Sequence, residues 1–123
     1  MDQKRIVIIG GGFGGLTAAR SIRLADVVLI DRTNHHLFQP LLYQVATAAL
    51  SPSDIAWPLR TVFRSQRNVR VMMDEVLSID RADRSICLRE SPPVSFDVLI
   101  VAPGSRHAYF GHDEWEEFAP GLK

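Results

Sequence analysis

The stretch from Arg5 to Asp31, RIVIIGGGFGGLTAARSIRLADVVLID, decides the fold class of this chain. It passes through a β-branched apolar run at 6–9, a glycine-rich turn, a segment of helix-forming residues, a second apolar run at 27–30 and a terminal acid. Short apolar runs of this kind are typical of strands buried on both faces of a parallel sheet. The order predicts a βαβ unit that binds an adenine dinucleotide.

Three glycines of the turn have the G-x-G-x-x-G spacing, and each has a separate physical task. Gly10 permits the tight turn out of the strand, Gly12 lets a pyrophosphate approach bare backbone, and Gly15 lets the helix pack close to the sheet. The unpaired N–H groups at the start of the helix form an anion site without any basic side chain.

The acid at the end of the second strand completes the predicted site. Asp31 can accept hydrogen bonds from both hydroxyls of an adenosine ribose, and it would repel a 2′-phosphate. Fifteen residues separate Gly15 from Asp31, whereas the acid usually follows the motif by about 20. We therefore expect a short helix or a short return loop.

The composition indicates one small globular domain covering residues 1–123. Hydrophobic residues make up 46% of the chain, and 14 basic residues balance 14 acidic ones, so a nucleic-acid partner is not implied. The single cysteine, Cys87, excludes an internal disulfide and is compatible with a reducing cytoplasm. The apolar run at 6–9 is too short for a secretory signal or a membrane helix.

The remaining pattern predicts two short helices followed by four strands. The helices are expected at Leu42–Leu50 and from Pro58 to about Ser65, and the strands at Val69–Met73, Val76–Ile79, Ser85–Arg89 and Phe96–Ala102. The two middle strands resemble a hairpin, and the run at 98–101 resembles a strand buried in a parallel sheet. The fold class is thus α/β: a Rossmann-like domain with a parallel sheet, a β-hairpin or meander insertion, and an incomplete C-terminus.

Several other residues have plain structural interpretations. Trp57, with Leu59, Val62 and Phe63, has the helical spacing of a core face, Cys87 is expected to pack within a strand, and the acidic run at 113–117 is expected to be solvated. His35 and His36 lack further ligands at metal-site spacing and fit a loop over the adenosine better. Gln39 either donates to phosphate or ribityl oxygens or remains a solvated amide. Neither a catalytic constellation nor a metal site is predicted.

A longer string carries a more specific signal than the glycine motif. Residues 31–60, DRTNHHLFQPLLYQVATAALSPSDIAWPLR, together with GGGFGG, RNVRV, FDVLIVAPG and YFGHDEWEEFAPGLK, resemble the type II NADH dehydrogenases. These are single-subunit NADH:quinone oxidoreductase flavoproteins. The resemblance implies the N-terminal FAD-binding portion of a protein with two dinucleotide domains, in which NADH reduces the flavin and the flavin reduces a membrane quinone.

The resemblance also implies which residues contact FAD. Gly10–Gly14 would hold the pyrophosphate, Asp31 and Arg32 the adenosine side, Val76 the adenine through its backbone, and Gln39 would lie along the cofactor. Ala102–Gly104 match a second FAD turn, in which Pro103 replaces the usual threonine and removes a hydroxyl and an N–H. The implied cofactor-binding set is Gly10, Gly11, Gly12, Phe13, Gly14, Gly15, Asp31, Arg32, Gln39, Val76, Ala102 and Gly104.

Relatives of this type are much longer, and the regions for NADH and quinone would lie outside these residues. We therefore expect this chain alone to retain FAD weakly or not at all and to lack NADH:quinone reductase activity. The parent enzyme would lie at the inner face of the cell membrane as a peripheral protein. A homo-oligomer could form through the sheet face left uncovered around 98–101.

Two alternatives stay open. One is another flavoprotein of the same superfamily, such as a disulfide or sulfide oxidoreductase, although residues 37–50 contain no cysteine for that chemistry. The other is a non-catalytic nucleotide-binding or oligomerising module. A flavin absorbance spectrum of the purified chain would separate this module from an FAD-binding protein.

Overall fold

The computed structural model describes residues 3–122. The strands are β1 (Arg5–Ile9), β2 (Asp26–Asp31), β3 (His35–Leu37), β4 (Ala56–Pro58), β5 (Val69–Met73), β6 (Val76–Asp80), β7 (Ser85–Leu88), β8 (Val94–Ser95) and β9 (Val98–Val101). The helices are α1 (Phe13–Ser21), α2 (Leu42–Ala46), α3 (Pro52–Ile55) and α4 (Leu59–Val62), with 3₁₀ turns at Gln39–Leu41 and Asp113–Glu117. No helix within residues 3–122 is long and apolar enough to cross a membrane.

Four parallel strands form the central sheet in the order β5-β2-β1-β9. The predicted α/β class with a parallel sheet is therefore confirmed. Strand β1 lies between β2 and β9, with Val7 opposite Val28 on one side and Leu99 on the other. The residues in the middle of β1 and β2 are buried, namely Val7, Ile8, Val28 and Leu29. Both faces of the sheet therefore need cover.

Helix α1 covers one face and returns quickly to the sheet. It spans nine residues, and this confirms that the helix is short. Side-chain amides from a later part of the chain donate to carbonyls at its C-terminal end and in the loop that follows. Gln66 Nε2 donates to the carbonyls of Ala19 and Ile22, and Asn68 Nδ2 donates to those of Ile22 and Ala25. These donors satisfy acceptors that every helix end leaves unpaired.

Two apolar clusters lie on opposite faces of the sheet. One joins α1 and α4 to the sheet through Ala19, Leu59 and Phe63. The other joins the antiparallel sheet β6-β7-β8 to the opposite face through Ile86 and Leu88. The predicted hairpin is confirmed as part of this three-stranded meander.

Two residues expected in the core are exposed instead. Ile86 and Leu88 point inward from β7, so the two-residue period of a strand places Cys87 between them on the exposed side. Trp57 lies on β4 opposite His36 and is 54% exposed. The helix begins only at Leu59, so Trp57 does not share the helical face that the spacing predicted.

The predicted helix at Leu42–Leu50 is correct in type but too long. Helix α2 ends at Ala46, and Ala48 adopts a left-handed conformation with φ of 60°. The hydroxyl of Thr47 bonds back to the carbonyls of Tyr43 and Gln44. Residues 47–50 therefore form a turn, which helix propensity alone does not indicate. The predicted helix from Pro58 is likewise shorter, because α4 ends at Val62.

Strand β9 belongs to the parallel sheet as predicted and pairs with β1, but it is an edge strand and is only partly buried. Leu99 and Ile100 pack against the two clusters, whereas Val98 and Val101 are 44% and 58% exposed. The meander and the helices thus give each face some cover. Self-association through the exposed valines remains a prediction.

Gly15 and Gly14 offer a matched test of the close packing between α1 and the sheet. A Cβ on Gly15 would overlap the carbonyl oxygen of Gly10, whereas a Cβ on Gly14 would make ordinary contact with Ala102. We expect Gly15→Ala to lower the free energy of unfolding by about 2 kcal/mol or more, and Gly14→Ala to leave it unchanged or raise it by up to about 1 kcal/mol. Thermal and urea denaturation followed by circular dichroism would measure both; equal effects would contradict the packing argument.

Candidate functional site

A cavity of about 690 Å³ opens where the carboxyl ends of β1, β2 and β5 meet. Crevices at this edge are where open α/β sheets bind ligands. The cavity is lined by the glycine turn, the ends of β1 and β2, the β2–β3 connection, the β5–β6 connection and the C-terminal segment. Its lining residues are Ile9, Gly10, Gly11, Gly12, Ile30, Asp31, Arg32, Thr33, His35, Leu37, Gln39, Asp74, Glu75, Val76, Pro103, Ser105, Arg106, His107, Tyr109, Asp113, Glu116 and Gly121.

The structure brings most of the predicted cofactor-binding residues to this cavity and leaves a minority beside it. The predicted residues in its lining are Gly10, Gly11, Gly12, Asp31, Arg32, Gln39 and Val76, whereas Phe13, Gly14, Gly15, Ala102 and Gly104 are outside it. Gly14 and Gly15 lie in the first turn of α1. In this geometry Gly15 lies against the Gly10 carbonyl and Gly14 near Ala102, and their contact with the cofactor remains a prediction.

Gly10 is the point where three segments of chain meet. Its φ is +102°, and a Cβ there would overlap the carbonyl of Ala102. The Gly10 N–H donates to Ile30, and the Ala102 N–H donates to Ile9. The tight turn and the second turn at Ala102–Gly104 are thereby held against each other, with Pro103 rather than Ala102 or Gly104 facing the cavity.

Gly12 presents open backbone to the cavity. It precedes the first residue of α1, and a Cβ placed on it would meet no atom within 4 Å. The fold therefore does not need glycine here for its own packing. The open space and the helix N-terminus fit a pyrophosphate, whose charge the unpaired N–H groups and the helix dipole favour.

Asp31 organises the glycine turn as well as lining the cavity. Its Oδ2 accepts the N–H of Gly11 at 2.6 Å, and its Oδ1 accepts the N–H and hydroxyl of Thr33 at 2.7 and 2.8 Å. A carboxylate has about four acceptor positions, so the group can still accept from a ribose. Its contact with ribose remains a prediction.

The two histidines have different surroundings. His35 is exposed and lines the cavity, but it opens strand β3 and does not belong to a loop as the sequence suggested; its place beside the adenosine remains a prediction. His36 is buried, with its Nδ1 at 3.0 Å from the carbonyl oxygen of Gly11 and its ring edge-to-face with Phe13. Within residues 3–122, His, Cys, Asp and Glu side chains form no group of three that could hold a metal ion.

Asp74 is a buried acid at the cavity that the sequence did not reveal. Its carboxylate accepts the N–H groups of Glu75, Glu90 and Ser91 at 2.7, 3.2 and 2.9 Å, and its own N–H donates to Asp31. The Ser91 side chain, with these backbone donors, lowers the pKa of Asp74 from 3.8 to about 2 against the opposing effect of desolvation. Its place directly after β5 was the available signal, because polar residues at carboxyl ends of parallel strands face the ligand crevice.

The C-terminal segment forms the other wall of the cavity, and sequence reasoning missed this. Arg106 and His107 line it, and Tyr109 Oη donates to the carbonyl of Ala119 at 2.8 Å to close a loop. The acidic run at 113–117 is exposed as expected, but Asp113 and Glu116 also contribute to the wall. No local pattern in this segment indicates that it turns back toward the glycine turn.

A family model described as "Pyridine nucleotide-disulphide oxidoreductase" matches residues 4–121. The chain is 52% identical over 98% of its length to two proteins of Mycobacterium tuberculosis, the type II NADH:quinone oxidoreductases Ndh and NdhA. It spans 27% of the length of each of them. These relatives confirm the resemblance to type II NADH dehydrogenases.

Solved structures share the fold at lower identity. The structure of NDH2 from Plasmodium falciparum in complex with NADH superimposes on 94% of this chain and 25% of its own, with a TM-score of 0.86 and 23% identity. The structure of the sulfide:quinone oxidoreductase of Aquifex aeolicus superimposes on 86% of this chain over 25% of its own length, with a TM-score of 0.79 and 24% identity. Both confirm the predicted Rossmann-like fold.

Asp74→Asn tests whether this carboxylate ties the meander to the parallel sheet. The folded pKa lies below the unfolded one, so the stabilisation is complete above about pH 4 and is lost as the pH falls toward about 2. We expect Asp74→Asn to lower the urea midpoint at neutral pH, and the gap to the unmodified chain to narrow as the pH falls. Asp80→Asn, at an exposed turn where Oδ1 accepts one N–H from Asp83, is the control. A gap independent of pH would contradict the assignment.

Proposed function

The chain belongs to the pyridine nucleotide-disulphide oxidoreductase family, and from this premise we propose that it binds FAD as part of an NADH:quinone oxidoreductase. The observation that carries the proposal is the open backbone of Gly12 at the N-terminus of α1, beside Asp31 in a cavity of about 690 Å³. This arrangement supplies an anion site next to an acceptor for hydroxyl groups.

Different residues of the cavity contact different parts of an elongated dinucleotide in this proposal. The Gly12 backbone and the first turn of α1 receive the pyrophosphate, because the Gly11 N–H is already donated to Asp31. Asp31 has one acceptor position left after Gly11 and Thr33 and receives a ribose hydroxyl there. Arg32 is exposed next to it in the cavity lining, and we assign it to the adenosine side. Val76 opens β6 beside the same cavity and offers backbone groups to the adenine.

Gln39 lies farther along the proposed path of the cofactor. It begins the 3₁₀ turn Gln39–Leu41, is exposed, and lines the cavity. Its amide offers two donors for phosphate or ribityl oxygens. Bound flavin would supply the redox chemistry: it would accept hydride from NADH and pass the electrons on to a quinone. No described residue needs to exchange a proton for this binding role.

The names of the M. tuberculosis relatives support the quinone assignment over the superfamily alternatives. Cys87, the one thiol in the sequence, lies on the exposed side of β7 and not in the cavity lining. Disulfide and sulfide chemistry needs a reactive sulfur close to the flavin. Because a quinone is dissolved in lipid, we propose that the complete protein works from the cytoplasm at the inner membrane surface.

Substituting Gly12 by valine tests the proposed pyrophosphate site. A Cβ at this position meets no atom of the fold within 4 Å, so the variant is expected to fold while its methyl groups occupy the place of the phosphates. FAD and ADP binding to Gly12→Val should fall by at least about a hundredfold. Thr17→Val, at an exposed position on α1 outside the cavity, is the control and should bind as the unmodified chain does.

Isothermal titration calorimetry of the unmodified chain with FAD, ADP and NADH tests the same proposal by comparing the affinities of the three ligands. We expect FAD to bind more tightly than NADH, because the first dinucleotide unit of this superfamily holds the flavin. A preference for NADH over FAD, or no binding of either FAD or ADP, would overturn the assignment.

A further inference from the structure

The buried histidine beneath the glycine turn has a defined protonation pattern. His36 is 3% exposed, and its Nδ1 lies 3.0 Å from the carbonyl oxygen of Gly11. A carbonyl oxygen only accepts hydrogen bonds, so the ring must carry its hydrogen on Nδ1. The contact joins residues separated by 25 positions in sequence, and therefore it links β3 directly to the turn after β1.

Gly11 is held from both ends of the residue. Its N–H donates to Asp31 Oδ2 at 2.6 Å, while its carbonyl accepts from His36. Gly11 is also buried, and a Cβ there would overlap the side chain of Leu59. A glycine has the widest conformational freedom of any residue. The two hydrogen bonds on Gly11 therefore restrict the backbone at a position that would otherwise be among the most flexible of the turn.

The direction of the Gly11 carbonyl determines the direction of the next N–H. The peptide bonds of the described residues are all trans, and in a planar trans peptide the C=O and the following N–H point in opposite directions. Because His36 draws the carbonyl inward beneath the turn, the N–H of Gly12 points outward. Gly12 lines the cavity, so this N–H faces the space of the proposed pyrophosphate site.

Aromatic contacts keep the imidazole in place. The ring of Phe13 meets that of His36 edge-to-face, with centroids 5.1 Å apart and an angle of 89°. Phe38 packs on Phe13 in the same manner at 5.7 Å. The ladder between β3 and β4 fixes the backbone of His36 opposite Trp57. These contacts restrict the rotation of the ring, with Nδ1 at the Gly11 carbonyl.

We propose that His36 is a positioning residue that, through the Gly11 carbonyl, aims the Gly12 N–H at the phosphate oxygens of a bound dinucleotide. The inference rests on the proposed function only for the identity of the ligand. His36 is not part of the cavity lining, so it acts through Gly11 and not by direct contact. Its contribution is to hold a donor in its binding direction before the anion arrives, so that less ordering is required on binding.

Two substitutions separate the hydrogen bond from the packing. His36→Phe keeps a buried ring against Phe13 but has no donor. His36→Asn removes the ring but places an amide N–H at the same number of bonds from Cα as Nδ1, so it can donate to Gly11. His112→Phe makes the same chemical change at an exposed histidine outside the cavity lining and is the control.

Affinities of the full chain for ADP and for adenosine provide the readout, because only ADP carries phosphates. We expect His36→Phe to bind ADP about tenfold more weakly. A tenfold change corresponds to the loss of one hydrogen bond to a charged group, here the bond from the Gly12 N–H to a phosphate oxygen. Adenosine affinity should be unchanged, His36→Asn should recover most of the loss, and His112→Phe should match the unmodified chain. Unchanged ADP binding by His36→Phe, or an equal loss for both ligands, would overturn the proposal.

Nitrogen NMR of the ligand-free chain tests the same proposal without any binding. At about pH 8, where an ordinary histidine is neutral, long-range proton–nitrogen correlations should show the hydrogen of His36 on Nδ1. A hydrogen on Nε2 alone would overturn the proposal, even if His36→Phe did not fold. If the unmodified chain binds neither FAD nor ADP, the FAD assignment fails, whereas an Nδ1–H signal would still support the hydrogen bond to the turn.

Discussion

The close approach of backbone to backbone at Gly10 and Gly15 is the constraint on which the rest of this structure depends. Neither residue has room for a Cβ: at Gly15 the obstacle is the Gly10 carbonyl, and at Gly10 it is the carbonyl of Ala102. Helix α1, strand β1 and the turn after β9 therefore meet without intervening side chains. Because no side chain fills that space, the N-terminus of α1 lies directly at the mouth of the cavity.

Two carboxylates extend this arrangement to the remaining elements. Asp31 binds the backbone of Gly11 and Thr33, and its carbonyl accepts the N–H of Asp74. Asp74 in turn receives N–H groups from both ends of the hairpin β6–β7, at Glu75 and at Glu90 and Ser91. One continuous set of hydrogen bonds thus connects the glycine turn, the parallel sheet and the meander along a single edge. The cavity is shaped by groups that are already paired, which favours a preformed site.

The sequence predicted the parallel sheet, the hairpin and the glycine turn because each depends on short-range chemistry. Runs such as 27–30 and 98–101 consist of apolar, mostly β-branched residues, which favour strands. The spacing of a glycine motif likewise indicates a local backbone geometry. The segment between β2 and β5 was predicted less well. Its helices are only four or five residues long, too short for a periodic pattern to define. Strands β3 and β4 were missed because a three-residue pair has almost no sequence signature.

By itself, the sequence determined the βαβ unit, the acid at the end of β2 and the specific string at 31–60 that pointed to the family, because these are written in consecutive residues. Only the tertiary structure decided that His36 lies beneath Gly11, that Asp74 binds the hairpin, and that Arg106 and His107 line the cavity. Each of these contacts joins segments far apart in the chain. Their partners are chosen by how the sheet, the meander and the C-terminal segment pack in space, and a local pattern of residues contains no record of that choice.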